Sequence, residues 1–152
     1  MKKLITCLLV FILPVLPAYA GEKEDIDQAI VATQYWIQLV DAGKYADSWN
    51  AAALTFQQAV TVEKWQQALV QVRSPLGSMK SREVMKATGA PKYQSSPDGD
   101  FVMIQFSTQF ENFPQAIETV SPMRQKDGSW RVAGYFVKPR PAVGIKPATP
   151  EN

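Results

Sequence analysis

The stretch FVMIQFSTQF, residues 101–110, has two sides of different polarity when every second residue is taken together. The more apolar side consists of Val102, Ile104, Phe106, Thr108 and Phe110. The opposite side consists of Met103, Gln105, Ser107 and Gln109. A period of two is typical of a β-strand that has one covered face. We therefore predict a strand here, with the first set of side chains facing a core.

Three more strands are predicted around this one. Residues 130–137 also alternate, which places Trp130 and Phe136 on the covered face and Tyr135 on the opposite face. Residues 116–123 form another strand, and the Asp-Gly pair that follows it is a strong hairpin turn signal. The apolar residues of 78–88 do not share one face, but we assign a strand there too. The result is a four-stranded antiparallel meander.

The first half of the chain has helical spacing instead. Apolar residues recur every three or four positions over residues 25–42, with Asp25 as the expected N-cap and Gly43 as the residue that ends the helix. A second amphipathic run covers residues 45–60, and Thr61 caps a third helix. Three helices before a meander predict an α+β domain, with the N-terminal helices packed on one face of a curved sheet.

The two ends of the chain are set apart from this domain. Residues 1–20 have the form of a secretory signal peptide, with Lys2 and Lys3 before an apolar stretch and Ala-Tyr-Ala before the expected cleavage point. We therefore expect export to the periplasm or secretion from a bacterium. Residues 21–138 form one domain, and the proline-rich residues 139–152 form an extended tail. Residues 89–100 are predicted to be a loop. The alternative to a cleaved leader is a lipoprotein anchored through Cys7.

Composition excludes several classes of chemistry. Loss of the leader shortens the chain from 152 to 132 residues and its basic residues from 16 to 14, which equals the number of acidic residues. A net charge of zero gives no support for a nucleic-acid or membrane-surface partner. The chain has no histidine, and its one cysteine lies in the leader. Imidazole or thiolate catalysis and the usual zinc sites are therefore excluded, and we expect neither a cofactor nor a metal.

Four segments carry a resemblance to a known family. They are DAGKYADSW (41–49), SPLGSMKSRE (74–83), DGDFVMIQFSTQF (98–110) and ETVSPMRQKDGSWRVAGYFVK (118–138). In this order they resemble the bacterial family called domain of unknown function 4019, over about residues 26–138. The order of elements is also similar to the cone fold of the nuclear-transport-factor-two-like (NTF2-like) proteins. That likeness implies a bent sheet wrapped around a long helix, with a pocket at the open end, but it implies no reaction.

Three residues are the candidates for ligand binding, and each has a structural alternative. Arg82 either binds an anionic ligand at the mouth of a cone or forms a structural salt bridge. Tyr135 is either a tyrosine on the sheet surface or a pocket hydroxyl. Trp49 either belongs to a ligand cage with the other tryptophans or packs in the core.

Two further charged residues invite comparison with these. Arg73 ends the third helix, where a cation interacts favourably with the helix dipole. Asp41 either acts as a buried base or sits at the end of the first helix as an ordinary polar residue. Neither forms part of a recognisable catalytic motif, and we assign no catalytic residue.

Three functions remain open. The leading hypothesis is an exported, non-catalytic module that binds a small ligand or a partner protein in the cone pocket or on the outer sheet face. The second is a small-molecule enzyme that uses carboxylate and tyrosine acid–base groups in that pocket. The third is an interaction or assembly protein, with a homodimer formed through the outer face of the sheet.

Overall fold

The computed structural model describes residues 19–90 and 100–140. Most of the predicted leader, loop and tail lies outside the described residues. The elements in chain order are α1 (Tyr19–Asp41), α2 (Tyr45–Asn50), α3 (Leu54–Ala59), α4 (Val62–Arg73), a 3₁₀ turn (Ser74–Leu76), β1 (Met79–Ala90), β2 (Phe101–Phe110), β3 (Gln115–Arg124) and β4 (Trp130–Arg140).

The four strands form one antiparallel sheet in the order β1-β2-β3-β4, as the meander predicts. Helices α1 and α4 pack on its inner face. The core between the two layers includes Trp36, Ile37, Val40, Trp65, Leu69, Ile104, Phe106, Val120 and Val132. The alternation of β2 is confirmed, because every residue of its apolar set is buried. The predicted α+β class, with helices packed on an antiparallel sheet, is therefore correct.

The second amphipathic run is two helices rather than one. Helix α2 ends at Asn50, and Ala53 has an extended backbone with ψ of 147° before α3 begins. The Ala53 N–H donates to the carbonyl of Val132 in β4 over 2.8 Å. Ala52 and Ala53 are both fully buried. Small side chains thus let the helix layer touch the sheet backbone at this break, and three predicted helices become four.

The predicted boundary of α1 is wrong at its start and correct at its end. The predicted cap at Asp25 is wrong, because α1 already begins at Tyr19 and Asp25 lies inside the helix, where it pairs with Arg124. The predicted end at Gly43 is confirmed. Gly43 has φ of +71°, and the N–H of Lys44 reaches back to the carbonyl of Leu39 over 2.8 Å. This is the Schellman arrangement, which suits glycine because a side chain at positive φ is strained.

A β-bulge in β4 reverses the predicted faces of its second half. Ser121 pairs with Gly134 and Pro122 pairs with Val132, so Ala133 is an extra residue with no partner in β3. An inserted residue shifts the side-chain alternation by one position. Tyr135 therefore faces inward, and Phe136, which is 63% exposed, faces outward. The predicted assignment of Phe136 to the covered face is wrong, and so is that of Tyr135 to the opposite face.

Candidate functional site

Six polar side chains from both layers meet between the helices and the sheet. They are Asp41 at the end of α1, Arg73 at the end of α4, Arg82 in β1, Thr108 in β2, Glu118 in β3 and Tyr135 in β4. We call these six residues the inner ion network. Each strand of the sheet contributes one member.

Glu118 is the centre of the inner ion network and has no exposed surface. Its Oε1 accepts hydrogen bonds from Arg73 Nη1 over 3.0 Å and from the Tyr135 hydroxyl over 2.6 Å. Its Oε2 accepts from Arg82 Nε over 2.7 Å and from the Thr108 hydroxyl over 2.6 Å. Both oxygens are therefore fully used, as a buried carboxylate requires.

Asp41 supplies the second negative charge and binds both arginines. Arg82 contacts it through two nitrogens, with Nη1 to Oδ2 at 2.6 Å and Nη2 to Oδ1 at 2.9 Å. Arg73 Nη2 donates to Oδ1 over 2.6 Å. The guanidinium of Arg73 also lies 4.6 Å from the ring centre of Phe110. Two guanidinium groups thus balance two carboxylates, and the inner ion network is electrically neutral as a whole.

Burial and ion pairing act against each other at Arg82, whose side chain is 9% exposed. Burial lowers the pKa of Arg82, but contacts with Asp41 and Glu118 outweigh that effect and raise the pKa above its ordinary value. Burial and the negative charge of Glu118 together raise the pKa of Tyr135. The arginine therefore stays charged and the phenol stays neutral throughout the physiological pH range.

The structure brings two of the three candidate ligand-binding residues together. Arg82 and Tyr135 both contact Glu118. Trp49 lies elsewhere, because its indole N–H donates to the carbonyl of Val60 over 2.8 Å. It packs half-buried against the core. Ligand binding by these three residues stays a prediction.

Glu118 and Thr108 are the members that the sequence reasoning missed. The alternation of β2 predicts that Thr108 lies on the covered face but indicates no role for it. Glu118 belongs to the inner set of β3 with Ala116 and Val120, all three of which are buried. A carboxylate in the covered set of a strand is the signal that could have identified it, since an unpaired charge is rarely buried.

Aromatic side chains surround the phenol of Tyr135. The rings of Trp36 and Trp65 lie with their centres 5.7 Å and 6.3 Å from that of Tyr135. The indole N–H of Trp36 donates to the carbonyl of Ser48 over 2.7 Å, and the indole N–H of Trp65 donates to the hydroxyl of Ser48 over 3.0 Å. These two tryptophans are thus packed and paired.

A separate cleft of about 370 Å³ lies between α1, the end of α2 and the β3–β4 hairpin. We call it the hairpin cleft. Its walls are Ala32, Tyr35, Trp36, Asn50, Ala51, Asp127, Ser129, Trp130, Arg131 and Val132. None of these belongs to the inner ion network. Tyr35 is 65% exposed, and the indole N–H of Trp130 is buried without an acceptor. A second depression, of about 480 Å³, lies on the other side of Asp127.

Two features are absent from the described residues. Within residues 19–90 and 100–140, no group of three or more acidic, histidine or cysteine side chains is arranged to hold a metal ion. No helix in the same ranges is both long and apolar enough to span a bilayer.

Comparison with known proteins identifies a family and a fold. The sequence model of DUF4019, described as a protein of unknown function, matches residues 32–135. No curated protein matches the chain. Among solved structures, the chain is similar to a candidate dehydratase of the NTF2-like family from Streptomyces avermitilis. The two share 10% identity with a TM-score of 0.52, over 79% of this chain and 99% of the other. Similarity at this identity shows the shared fold alone.

Removal of the central carboxylate tests the energetic role of the inner ion network. Glu118→Ala leaves two buried arginines short of a partner and the hydroxyls of Thr108 and Tyr135 without their acceptor. We expect a loss of about 3 to 5 kcal/mol in the free energy of unfolding, measured with urea. The matched control is Glu83→Ala, which removes an exposed carboxylate of β1. Equal urea unfolding midpoints for Glu118→Ala and Glu83→Ala would contradict the structural role of Glu118.

The pH dependence of stability tests the contact between Tyr135 and Glu118. In the unfolded chain a tyrosine ionises near pH 10, whereas the raised pKa of Tyr135 keeps it neutral in the folded protein. The folded state then binds more protons, so the contribution of Tyr135 is complete below about pH 10 and falls above it.

Tyr135→Phe is expected to cost about 1 to 2 kcal/mol at pH 7. By pH 11 the difference between Tyr135→Phe and wild type in the free energy of unfolding should shrink by up to about 1 kcal/mol, measured by urea unfolding at each pH. The control is Tyr35→Phe, which removes a phenol hydroxyl in the hairpin cleft. A difference that stays constant up to pH 11 would show that Tyr135 is not held neutral.

Proposed function

Since this chain belongs to the DUF4019 family, whose function is unknown, and has the NTF2-like fold, we propose that it is a non-catalytic module that binds a small ligand in the hairpin cleft. We also propose that it acts after export, in the periplasm or outside the cell. Support for export comes from the basic start, apolar stretch and Ala-Tyr-Ala site of residues 1–20.

The saturation of Glu118 supports a non-catalytic role. A general base must accept a proton from its substrate through an unoccupied lone pair within hydrogen-bond reach. Glu118 instead accepts four hydrogen bonds, two of them from guanidinium groups that favour its ionised form. Asp41 is likewise held by both arginines. The carboxylates of the cone interior are therefore suited to joining the helices to the sheet rather than to proton transfer.

The hydrogen bonds of Arg82 bear on its predicted role as an anion-binding residue. An anion-binding arginine offers its guanidinium hydrogens to the ligand. In this structure Arg82 uses Nε, Nη1 and Nη2 on Glu118 and Asp41. An anionic ligand would have to displace a carboxylate from a buried ion pair, which is costly. This supports the structural salt bridge as the role of Arg82.

We choose the hairpin cleft as the ligand site because of one observation, the unpaired indole N–H of Trp130. The other three tryptophans each donate to an oxygen of the protein. Trp130 is 8% exposed, lines the cleft and has a buried donor without a partner. A buried unsatisfied donor costs about 1 to 3 kcal/mol. Because the nitrogen itself is buried, the indole must turn toward the cleft before a ligand acceptor can bind it and recover part of that cost. The volume of the cleft also lies within the range of small-molecule sites.

A ligand screen by nuclear magnetic resonance tests this proposal. The uniformly ¹⁵N-labelled protein is mixed with pooled small molecules of several chemical classes, and indole and backbone N–H signals are followed. We expect binders to shift the indole signal of Trp130, which is assigned by its loss in Trp130→Phe. The indole signals of Trp49 and Trp65 serve as internal controls, because both donors are already paired.

Two results would contradict the proposal. One is that no class of molecule shifts the Trp130 signal, or that binders act on Asp41 and Arg82 instead. The other is turnover of a substrate in a hydrolase, isomerase and lyase screen that is lost in a folded Asp41→Asn variant.

A further inference from the structure

Charge in the hairpin cleft is balanced locally, which bears on what can bind there. Asp127 and Arg131 are the charged residues of its wall, and they attract one another. Asp127 Oδ1 is already bound by the N–H and hydroxyl of Ser129 over 2.9 Å and 2.6 Å. One carboxylate and one guanidinium give the wall no net charge that would attract an anion or a cation. Electrostatics therefore favours a neutral molecule.

The polar groups of the wall include both donors and acceptors. The indole of Trp130 and the guanidinium of Arg131 can only donate. The carboxylate of Asp127 can only accept, and the amide of Asn50 does both. A ligand that meets all four must itself offer donors and acceptors at several neighbouring points. A hydroxyl group does both, so a row of hydroxyls satisfies such a wall.

An apolar surface stands beside these polar groups. Tyr35 projects from α1 with 65% of its surface exposed, and Ala32 and Ala51 are also part of the wall. An aromatic ring presents a broad apolar face at low conformational cost, and a flat ligand with C–H groups can pack against it. A sugar ring combines such a face with a rim of hydroxyls.

We propose that the hairpin cleft binds a neutral polyhydroxylated ligand of the saccharide class, with Tyr35 packing against the ring and Asn50, Asp127, Trp130 and Arg131 bonding its hydroxyls. The proposal rests on the proposed function, because it names the ligand class of the same site.

Titration of the purified protein with defined probes tests the ligand class. The saccharides are maltose, cellobiose and N,N′-diacetylchitobiose. The charged comparisons are the dipeptide Gly-Leu, a zwitterion, and inorganic phosphate. The readout is the Trp130 indole signal together with the aromatic signals of Tyr35. We expect at least one saccharide to shift both signals saturably below about 10 mM, and neither charged probe to do so.

Variants then locate the bound saccharide. Tyr35→Ala should raise the Kd about 2- to 10-fold through loss of the ring contact, and Asn50→Ala should also weaken binding. Both residues are exposed, so folding is preserved. The matched control is Phe136→Ala, which removes an aromatic ring of nearly equal exposure on the outer sheet face and should leave the Kd unchanged.

The outcomes separate this inference from the proposed function. Binding of Gly-Leu or phosphate, but of no saccharide, at the Trp130 signal overturns the saccharide class and leaves a ligand site in the hairpin cleft. Saccharide binding that Tyr35→Ala and Asn50→Ala do not weaken overturns the placement of the sugar. No response to these probes or to the wider screen overturns both proposals.

Discussion

The ion pairs and hydrogen bonds of the buried carboxylate of Glu118 hold the two layers of the domain together. A charge in the middle of a sheet face is tolerated only when it is paired and hydrogen-bonded, and here the partners come from β1, β2, β4 and α4. Asp41 then extends the same contacts to α1. These two carboxylates thereby join four strands and two helices.

Under the proposed function, stability and ligand recognition lie in different parts of this domain. Chemistry at the inner ion network would require breaking contacts that hold the layers together, so the proposed ligand site lies apart from it. That site, the hairpin cleft, is formed where α1 and α2 meet the β3–β4 turn. Ala53 bonds to Val132 at the same place, so the wall of the cleft rests on a backbone contact between the layers.

Sequence periodicity was sufficient for the fold class and the order of the strands, because the covered face of β2 and the apolar stripes of the helices are set by burial alone. It was insufficient at Ala133, since an extra residue in a strand leaves no mark in an alternating pattern and yet exchanges the faces of Tyr135 and Phe136. It also missed Glu118, whose partners lie 10 to 45 residues away in sequence. Pairing across such distances becomes visible only when the register of the strands is known.

The most direct test of the central claim is a double-mutant cycle between Arg82→Met and Glu118→Gln, with the free energy of unfolding measured for both single variants and the double variant. If the inner ion network acts as one unit, the double variant loses less stability than the sum of the single losses, by about 1 to 3 kcal/mol. Additivity within about 0.5 kcal/mol would contradict the claim, because it would mean that the two side chains stabilise the fold independently.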